Sequence, residues 1–234
     1  MEAENKYYQI RLLSSLPWLV HGFGQAGFEA NSLKREFPLF SPVEMKQQHS
    51  NRVIFLDGKP ETEIEADGLV TATPGLLLLV KTADCLPVFL VDPKKHIVAA
   101  VHCGWRGTKE KIILRAVEIM QKKAGSDPHE LLAGFGPCIE RGCYEVGREV
   151  FDEFRRNGFK TEEIFQPAEK SGKFYLDLRL ANLLLLTREA ELSQINISQV
   201  EECTFCRKNL HSYRRDRQTQ ARLFNFIGLV NYKA

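Results

Sequence analysis

Short apolar runs between polar turns predict β-strands in several parts of the chain. The densest runs lie in residues 81–108, which read KTADCLPVFLVDPKKHIVAAVHCGWRGT. Branched and aromatic residues are typical of strands because they pack well on a pleated, half-buried surface. The predicted strands are 53–56, 76–80, 85–92, 96–102, 131–135 and 224–230, with a tight turn at Pro93-Lys94-Lys95 between the third and the fourth.

Apolar residues at helical spacing predict two long helices. In residues 109–124 the apolar side chains recur every three or four positions, so they share one side of a helix. Thr108 is the expected N-cap, and Gly125 ends the helix because glycine readily adopts the left-handed conformation. A leucine-rich helix is predicted over 178–193, with Asp177 as its N-cap.

The order of these elements favours an α+β fold in a single domain over residues 1–234. A third, short helix is predicted at 147–156. Residues 18–39, rich in Gly, Phe and turn formers, predict an irregular opening with few strands. Strands and helices therefore alternate only in part, unlike the regular alternation of a parallel α/β sheet. No low-complexity linker divides the chain.

The composition is that of a globular protein with no global preference for anionic partners. Hydrophobic residues make up 44% and charged residues 26%, and 32 Lys and Arg against 30 Asp and Glu leave a formal charge of +2. This balance gives no reason to expect nucleic acid or a membrane as partner, so any anion binding depends on local clusters. The polar residues 1–8 lack the apolar core of a signal peptide, and six cysteines are too few for a disulfide scaffold. We therefore expect a cytoplasmic protein with reduced thiols.

A hairpin formed by the two strands within residues 85–102 would bring a cysteine and a histidine together. A turn that pairs Asp92 with Lys95 sets Cys85 opposite His102 in the same register. Directly opposed residues have Cβ atoms about 4.5–5.5 Å apart on one face of a sheet. The hairpin therefore predicts a thiol and an imidazole as neighbours.

Such a pair can either share a metal ion or act as nucleophile and base. Cys85 and His102 both lie where a strand meets a loop, with Asp84 and Arg106 beside them, and such loops commonly carry chemistry. A slip of one residue would instead put Cys103 opposite Cys85 and turn His102 to the other face. The register leaves these alternatives open.

Four strings in the chain resemble one known family. TADCLPV, VHCGWRG, GPCIERGCYEVG and SYRRD are similar to the laccase-domain, or YfiH-like, family, which was first described as multicopper polyphenol oxidases. Its members are now described as purine nucleoside phosphorylases with adenosine deaminase activity. The resemblance runs from His21 to the C-terminal strand and implies a layered α/β/β/α sandwich with mixed sheets.

The resemblance also implies a metal site. The family's ligands fall on His49, in Gln47-Gln48-His49, and on Cys85 and His102. Two imidazoles and one thiolate suit Zn²⁺, with Cu²⁺ as the second choice, and they leave a fourth position for water or substrate, as in catalytic zinc sites. Cys85 and His102 would then belong to the catalytic centre.

The implied activity is a zinc-dependent purine nucleoside phosphorylase that also deaminates adenosine. Its substrates would be small molecules: adenosine and inosine, with methylthioadenosine as a further candidate, and phosphate. Phosphorolysis requires an anion clamp, for which Arg106, Arg214 and Arg215 offer paired N–H donors. Asp84 is the first candidate for a general base.

Other functions remain open from the sequence. A metal-free cysteine hydrolase or deamidase could use Cys85 as nucleophile and His102 as base, but it leaves His49 without a role. Copper-dependent phenol oxidation needs many histidines, commonly in His-x-His pairs, and the chain has six histidines and no such pair. A non-catalytic binding protein is the fourth possibility. The Cys203-x-x-Cys206 motif has no second pair and predicts structural or incidental thiols.

Overall fold

The computed structural model describes residues 6–217 and 219–231, and most strands of this part of the chain belong to two mixed β-sheets. In chain order, its strands β1 to β16 are Tyr7–Tyr8, Leu19–Gly24, Ser41–Val43, Met45–Lys46, Val53–Leu56, Ile64–Glu65, Gly68–Thr71, Leu76–Thr82, Leu86–Asp92, Ile97–Cys103, Leu132–Phe135, Glu145–Gly147, Phe165–Pro167, Lys173–Leu176, Ile197–Gln199 and Leu223–Leu229. Its α-helices α1 to α8 are Arg11–Ser14, Ala30–Glu36, Trp105–Lys109, Ile112–Ala124, Arg148–Arg156, Thr161–Ile164, Leu178–Leu184 and Tyr213–Asp216.

The two large sheets pack face to face. One has the strand order β1-β2-β16-β8-β3 and the other the order β15-β11-β9-β10-β7-β5. Both are antiparallel in the middle, and parallel pairs occur at their edges, between β3 and β8, β5 and β7, and β11 and β15. Alternate strand residues from both sheets meet in a buried layer, where the rings of Phe23 and Phe89 stack at 4.5 Å.

Helices cover the outer faces of both sheets. The outward residues of β9 and β10 form one core with α4, α5 and α7, in which Ile113, Phe154 and Ala181 are fully buried. On the far side, Leu33 of α2 packs on Leu77 and neighbouring residues of the five-stranded sheet. The layers therefore run helix, sheet, sheet, helix, which confirms the predicted α+β class and the α/β/β/α sandwich. In the described residues, no helix is long and apolar enough to cross a membrane.

The predicted strands all form, within two residues of the expected bounds, but the opening of the chain was predicted wrongly. Leu19–Gly24 is a regular strand inside the five-stranded sheet, although it contains two glycines. A Cβ at Gly22 would lie 2.5 Å from the ring of Phe226, and one at Gly24 would lie 2.5 Å from the carbonyl oxygen of Phe224. The glycines therefore permit close packing within a strand, where the sequence suggested turns.

The hairpin of β9 and β10 forms in a register two residues away from the predicted one. Asp92 pairs with Ile97, and His102 pairs with Pro87. The turn is longer than expected because the Asp92 carboxylate accepts hydrogen bonds from the backbone N–H groups of Lys94 and Lys95, each at 2.9 Å. A shift of two residues keeps every side chain on its face. Cys85 therefore still faces the same side as His102, although the two are not directly opposed.

The helix predicted over 109–124 is divided in two. Lys111 has a left-handed backbone, with a φ of 58°, and separates α3 from α4. Thr108 is not an N-cap: it lies inside α3, and its hydroxyl accepts a hydrogen bond from Asn182 at 3.0 Å. The predicted helix end at Gly125, which has a φ of 66°, is confirmed. Asp177 is confirmed as the N-cap of α7, because its side chain accepts a hydrogen bond from the backbone N–H of Leu180.

The second long helix is shorter than predicted. The α-helix ends at Leu184 and continues as a π-helical segment, Leu185–Glu189, so that the helical part stops before residue 193. The short helix predicted over 147–156 forms as α5, and Gly147 precedes it as the N-cap residue.

Candidate metal centre and cleft

Three side chains from separate segments meet at one end of the sandwich, between the two sheets. His102 lies near the end of β10 and is buried, whereas Cys85 lies in the turn between β8 and β9. His49 belongs to the loop before β5 and has a left-handed backbone, with a φ of 56°. The ligand atoms of the three side chains all lie within 4.8 Å of one another. The structure thus brings together the three ligands that the sequence predicted.

A buried carboxylate that the sequence analysis did not find holds two of these residues in place. Asp67 is 0% exposed, and its carboxylate lies 2.8 Å from His102 Nδ1. It also accepts hydrogen bonds from the backbone N–H groups of Gln48, His49 and Ser50, at 3.1, 3.0 and 2.7 Å, and from the hydroxyl of Ser50 at 2.7 Å. One carboxylate therefore fixes both the ring of His102 and the backbone of the loop that carries His49.

The charges in this cluster support one another. Burial favours a higher pKa for the Cys85 thiol, but the charge of His102 and the hydrogen bonds from both imidazoles outweigh it and lower the pKa. Burial likewise favours a lower pKa for His102, yet the Cys85 thiolate and the Asp67 carboxylate raise it. Burial favours a higher pKa for Asp67 too, but its contacts with His102 and Ser50 outweigh that effect and lower the pKa to about 2. Without a metal, these contacts favour the thiolate form of Cys85 and the protonated form of His102.

The donor set and the space around it fit a tetrahedral metal ion. Zinc bound to nitrogen and sulfur at its usual bond lengths sets neighbouring ligand atoms about 3.3–3.8 Å apart. The three donors lie within 4.8 Å of one another, so a small approach would bring them to this geometry. A Cβ at Gly104 would lie 3.0 Å from Cys85 Sγ, 3.2 Å from His49 and 3.7 Å from His102, and the glycine leaves this space open. Asp67 on Nδ1 of His102 directs Nε2 toward the site, as carboxylates do for zinc-binding histidines.

The three ligands lie in the wall of a cleft of about 1030 Å³, a volume large enough for a nucleoside. Aromatic and charged side chains are prominent in the remaining lining: Trp105, Tyr144 and Tyr213, the basic Lys46, Lys81, Arg106, Arg214 and Arg222, and the acidic Glu44, Glu63 and Asp84. Tyr213 is 55% exposed, an unusual fraction for a large ring, and it faces this opening. The cleft therefore combines flat apolar surfaces with positive charge beside the candidate metal centre.

Two of the three predicted phosphate-binding arginines line the cleft. The Arg106 guanidinium lies over the ring of Trp105, 4.4 Å from its centroid. The Arg214 guanidinium lies 5.4 Å from the centroid of Tyr144 and donates one hydrogen bond, of 2.8 Å, to the carbonyl of Glu145. Both keep N–H groups that the described residues leave for a ligand.

Arg215 does not reach the cleft. Its guanidinium donates to three backbone carbonyls through Nη1 and to that of Leu210 through Nη2, and it forms an ion pair with Asp216. Every nitrogen of this guanidinium is therefore engaged within the protein. Arg215 fastens the segment 204–210 and has no pair of donors left for phosphate, in contrast to the prediction from the basic run.

Asp84 lies at the edge of the cleft and connects two loops. One carboxylate oxygen accepts from the hydroxyl of Thr204 at 2.6 Å, and the other from the backbone N–H of Arg214 at 2.7 Å. Its backbone has a φ of 94°, which a non-glycine residue seldom adopts. This strained turn directly precedes Cys85 and sets the direction of the thiol.

The sequence contained only weak signals for the residues that were missed. Asp67 follows Ala66 at the start of the apolar strand β7, and nothing in that pattern distinguishes it from an acidic turn residue. Tyr144 follows Cys143 in a loop, so no periodicity assigned it to a site. The need of a metal-binding histidine for a carboxylate partner could have prompted a search for Asp67.

Comparison with known proteins agrees with this arrangement. The profile of a family described as multi-copper polyphenol oxidoreductase laccase matches residues 30–230. A purine nucleoside phosphorylase of Clostridium acetobutylicum is 35% identical over 84% of this chain and 80% of its own length. A protein named adenosine deaminase RL5, from an unknown prokaryotic organism, is 36% identical over 70% of this chain and 65% of its own length.

Solved structures show the same fold. YlmD from Geobacillus stearothermophilus superposes with a TM-score of 0.86 at 25% identity, over 99% of this chain and 98% of that one. The hypothetical protein YfiH of Bacillus licheniformis gives a TM-score of 0.83 at 28% identity, over 90% of this chain and 92% of that one.

Proposed function

Since the chain belongs to the family described as multi-copper polyphenol oxidoreductase laccase, whose curated relatives are named purine nucleoside phosphorylase and adenosine deaminase, we propose that it is a zinc-dependent purine nucleoside phosphorylase with adenosine deaminase activity. Adenosine and inosine are the proposed substrates, with methylthioadenosine as a further one. The names of the relatives support an enzyme that acts on small molecules. The use of zinc and the choice of individual substrates are part of what we propose.

One observation carries the proposal: the His49, Cys85 and His102 donors open into a cleft that also presents Arg106 and Arg214. A nucleoside needs a flat apolar surface for its base, and phosphate needs paired N–H donors. The cleft offers both beside a centre that can hold a Lewis acid. A pocket for an uncharged substrate alone would not need the two guanidinium groups.

A zinc ion held by the three ligands would supply Lewis acidity, which makes water more acidic and polarises groups of the substrate. The chain's own residues would do the remaining work. In phosphorolysis an oxygen of hydrogen phosphate forms a bond to C1′ of the ribose while the bond from C1′ to the purine nitrogen breaks. The base leaves with the electron pair and takes up the proton that the phosphate gives up. Arg106 would hold the phosphate by two N–H groups, and its stacking on Trp105 orients them.

The aromatic side chains and Asp84 would position the nucleoside. Trp105, Tyr144 and Tyr213 line the cleft and offer ring faces to a purine. Asp84 fixes the backbone of Arg214 and, through Thr204, a neighbouring loop. Because both carboxylate oxygens already accept strong hydrogen bonds, we assign Asp84 a positioning role in place of the general-base role suggested by the sequence.

The activity itself can be tested with the purified chain. Incubation with adenosine and phosphate should yield adenine and ribose 1-phosphate, together with some inosine from deamination. Removal of phosphate should stop the release of adenine but leave the deamination, because only the first reaction uses phosphate as nucleophile. A zinc-replete protein that neither releases base from adenosine or inosine nor deaminates adenosine would refute the proposal.

Arg106 provides a sharper test of the phosphate clamp. Hydrogen bonds to a charged group contribute about 1.5–3 kcal/mol, so Arg106→Ala should raise the KM for phosphate about 10- to 100-fold. Arg106→Lys should restore little, because an ammonium group lacks the planar two-point contact. Zinc content should stay unchanged in both variants. Arg11→Ala, at an exposed arginine outside the cleft, is the matched control and should behave as wild type.

The metal assignment is tested by its ligands. His49→Ala, Cys85→Ala and His102→Ala should each lower the zinc retained after dialysis, measured by elemental analysis, and retention should weaken at low pH because the ligands must be deprotonated. His129→Ala, at a 62% exposed histidine outside the cleft, is the control. Full zinc occupancy in all three ligand variants would contradict the assignment.

A cysteine hydrolase is the second candidate, and one observation favours it. Cys85, His102 and Asp67 follow one another in contact, as nucleophile, base and orienting carboxylate do in cysteine-dependent enzymes. In that function His49 has no role. Alkylation of Cys85 distinguishes the two: a zinc-bound thiolate should react slowly and then faster after chelation. Equal rates in both forms, with a covalent substrate adduct on Cys85, would favour the hydrolase.

Copper-dependent phenol oxidation, the activity in the family's description, is tested by the same preparation. Phenol oxidation after addition of copper, without turnover of nucleosides, would favour it over the proposal. We further propose that the protein acts in the cytoplasm, where its six cysteines would stay reduced.

A further inference from the structure

Three cysteines outside the cleft form a second cluster of possible ligands. The Sγ atoms of Cys143, Cys203 and Cys206 all lie within 4.8 Å of one another, and those of Cys143 and Cys206 are 3.5 Å apart. The remaining three thiols have other surroundings: Cys85 belongs to the first centre, and Cys103 and Cys138 are fully buried in the helix-side core. Half of the chain's cysteines therefore meet at one place that the proposed reaction does not use.

The backbone presents these thiols in a way that suits a metal ion. Cys203 and Cys206 come from one tight turn, which is closed by a hydrogen bond of 3.0 Å from the N–H of Arg207 to the carbonyl of Cys203. Two ligands from one Cys-x-x-Cys turn are the usual half of a structural zinc site. The Sγ atom of Cys203 also accepts a hydrogen bond of 3.5 Å from the backbone N–H of Glu140, which holds the sulfur atom in place.

The third thiol comes from a segment some sixty residues earlier. Cys143 ends the 3-10 turn Arg141–Cys143, and Cys138 in the same segment forms a parallel β-bridge with Cys203. The backbone N–H of Thr204 donates to the carbonyl of Cys138 at 3.0 Å. Backbone contacts thus hold the two segments side by side, and the thiols do not depend on a metal to meet.

We propose that Cys143, Cys203 and Cys206 bind a thiophilic metal ion, Zn²⁺ or Cu⁺, at a second site separate from the cleft's metal centre. Three thiolates around zinc lie about 3.8 Å from one another. The observed separations are 3.5 Å for Cys143 and Cys206 and at most 4.8 Å for the other two pairs. Three soft sulfur ligands also suit Cu⁺. Cys206 is exposed and Cys143 half-buried, so an ion can enter from solvent and water can complete the coordination of zinc.

The ion would stiffen one wall of the substrate cleft. Thr204, between two of the ligands, donates its hydroxyl to Asp84, and Tyr144, next to the third, lines the cleft. Arg215 fastens the carbonyls of Thr204 and Phe205 from the other side. The second site is therefore connected to the cleft through the loops that it joins, while its ligands touch no substrate.

The number of metal ions bound per chain, measured in the reduced protein, tests this second site independently of the metal centre in the cleft. The protein is stripped with chelator under anaerobic reducing conditions and loaded with Zn²⁺ alone or Cu⁺ alone. After gel filtration, wild type should retain about one ion more per chain than Cys143→Ser and Cys206→Ser. Cys138→Ala, a neighbouring thiol that faces Arg179, is the matched control and should retain the wild-type number. If wild type retains the additional ion after loading with only one of the two metals, that metal is the one that the second site binds.

Two further experiments distinguish the loss of a metal ligand from a general effect of mutation: replacement of one ligand by another, and an absorption spectrum of the cobalt-loaded protein. Cys206→His should recover most of the zinc that Cys206→Ser loses, because imidazole is a good zinc ligand and serine is not. Co²⁺ loading should give thiolate charge-transfer absorption that falls in Cys206→Ser but not in Cys138→Ala. Equal retention in wild type and Cys206→Ser with both ions would overturn the proposal. A Cys143–Cys206 disulfide that persists under reducing conditions would overturn it as well.

Discussion

Replacement of Asp67 by asparagine should weaken both the fold and the metal centre. The carboxylate serves five donors: one oxygen faces the N–H of His49 and Nδ1 of His102, and the other faces Gln48 and Ser50. An amide has one accepting oxygen and one donating NH₂ group. Whichever way the asparagine amide is turned, its NH₂ group faces N–H groups that donate to the Asp67 carboxylate in wild type.

The expected loss of unfolding free energy follows from the orientation of the asparagine amide that costs the least free energy. With the amide oxygen toward Gln48 and Ser50, His102 can change its tautomer, but the N–H of His49 loses its acceptor. A buried donor without a partner costs about 1–3 kcal/mol, and the loss of charge weakens the other hydrogen bonds, so we expect about 2–4 kcal/mol less unfolding free energy in total. The changed tautomer places the proton of His102 on Nε2, the atom needed for a metal, and zinc affinity should fall about 10- to 100-fold.

Two measurements check these numbers separately. Urea unfolding of chelator-treated protein gives the stability without any metal, and competition with a chromogenic chelator gives the zinc affinity. Asp57→Asn, the same change at an exposed carboxylate, is the control and should alter neither. If Asp67→Asn unfolds within about 0.5 kcal/mol of wild type, the network of hydrogen bonds does not carry the assigned role. Wild-type zinc affinity would refute the tautomer argument.

Two further changes test other parts of the structure. Burial lowers the pKa of His21 from 6.5 to about 4, and its Nε2 accepts from the N–H of Ile10. The unfolded chain therefore binds a proton that the folded one does not, and wild type should lose up to roughly 3 kcal/mol between about pH 7 and pH 4 in urea unfolding. His21→Gln should lack this loss of unfolding free energy, and an equal loss in that variant would contradict the prediction. Gly104→Ala should lower zinc affinity by about tenfold or more, because its Cβ would meet Cys85 Sγ at 3.0 Å, whereas Gly58→Ala has open surroundings and should not. Equal zinc affinities in the two glycine variants would contradict this reasoning.

The sequence predicted the strands well where the local pattern determines them. The apolar runs of β9 and β10 predicted their strands within one residue. The family resemblance indicated His49, Cys85 and His102, whose ligand atoms the structure places within 4.8 Å of one another. The register failed because the Asp92 side chain lengthens the turn, an interaction between neighbours that alternation does not contain. The site nevertheless survived the error, since a shift of two residues preserves the face.

The remaining misses depend on contacts between distant segments. Arg215 looked like a phosphate ligand in a basic run, but its donors are used by carbonyls of residues 204–210. Cys143 lies some sixty residues before Cys206, so no spacing could indicate that their thiols meet. Asp67 became recognisable only when the structure placed it against His102. Local patterns carry no information on such pairings.

The position of β16 has a consequence for how the protein is made. This strand is the last in the described chain, yet it lies in the middle of the five-stranded sheet, between β2 and β8. A ribosome that has synthesised residues 1–200 has released both neighbours but not the strand that joins them. Their edges stay unpaired until β16 has been made, and unpaired edges are prone to join other chains. The five-stranded sheet, whose strand β8 leads into the turn that carries Cys85, is therefore completed only after residues 223–229 have been made.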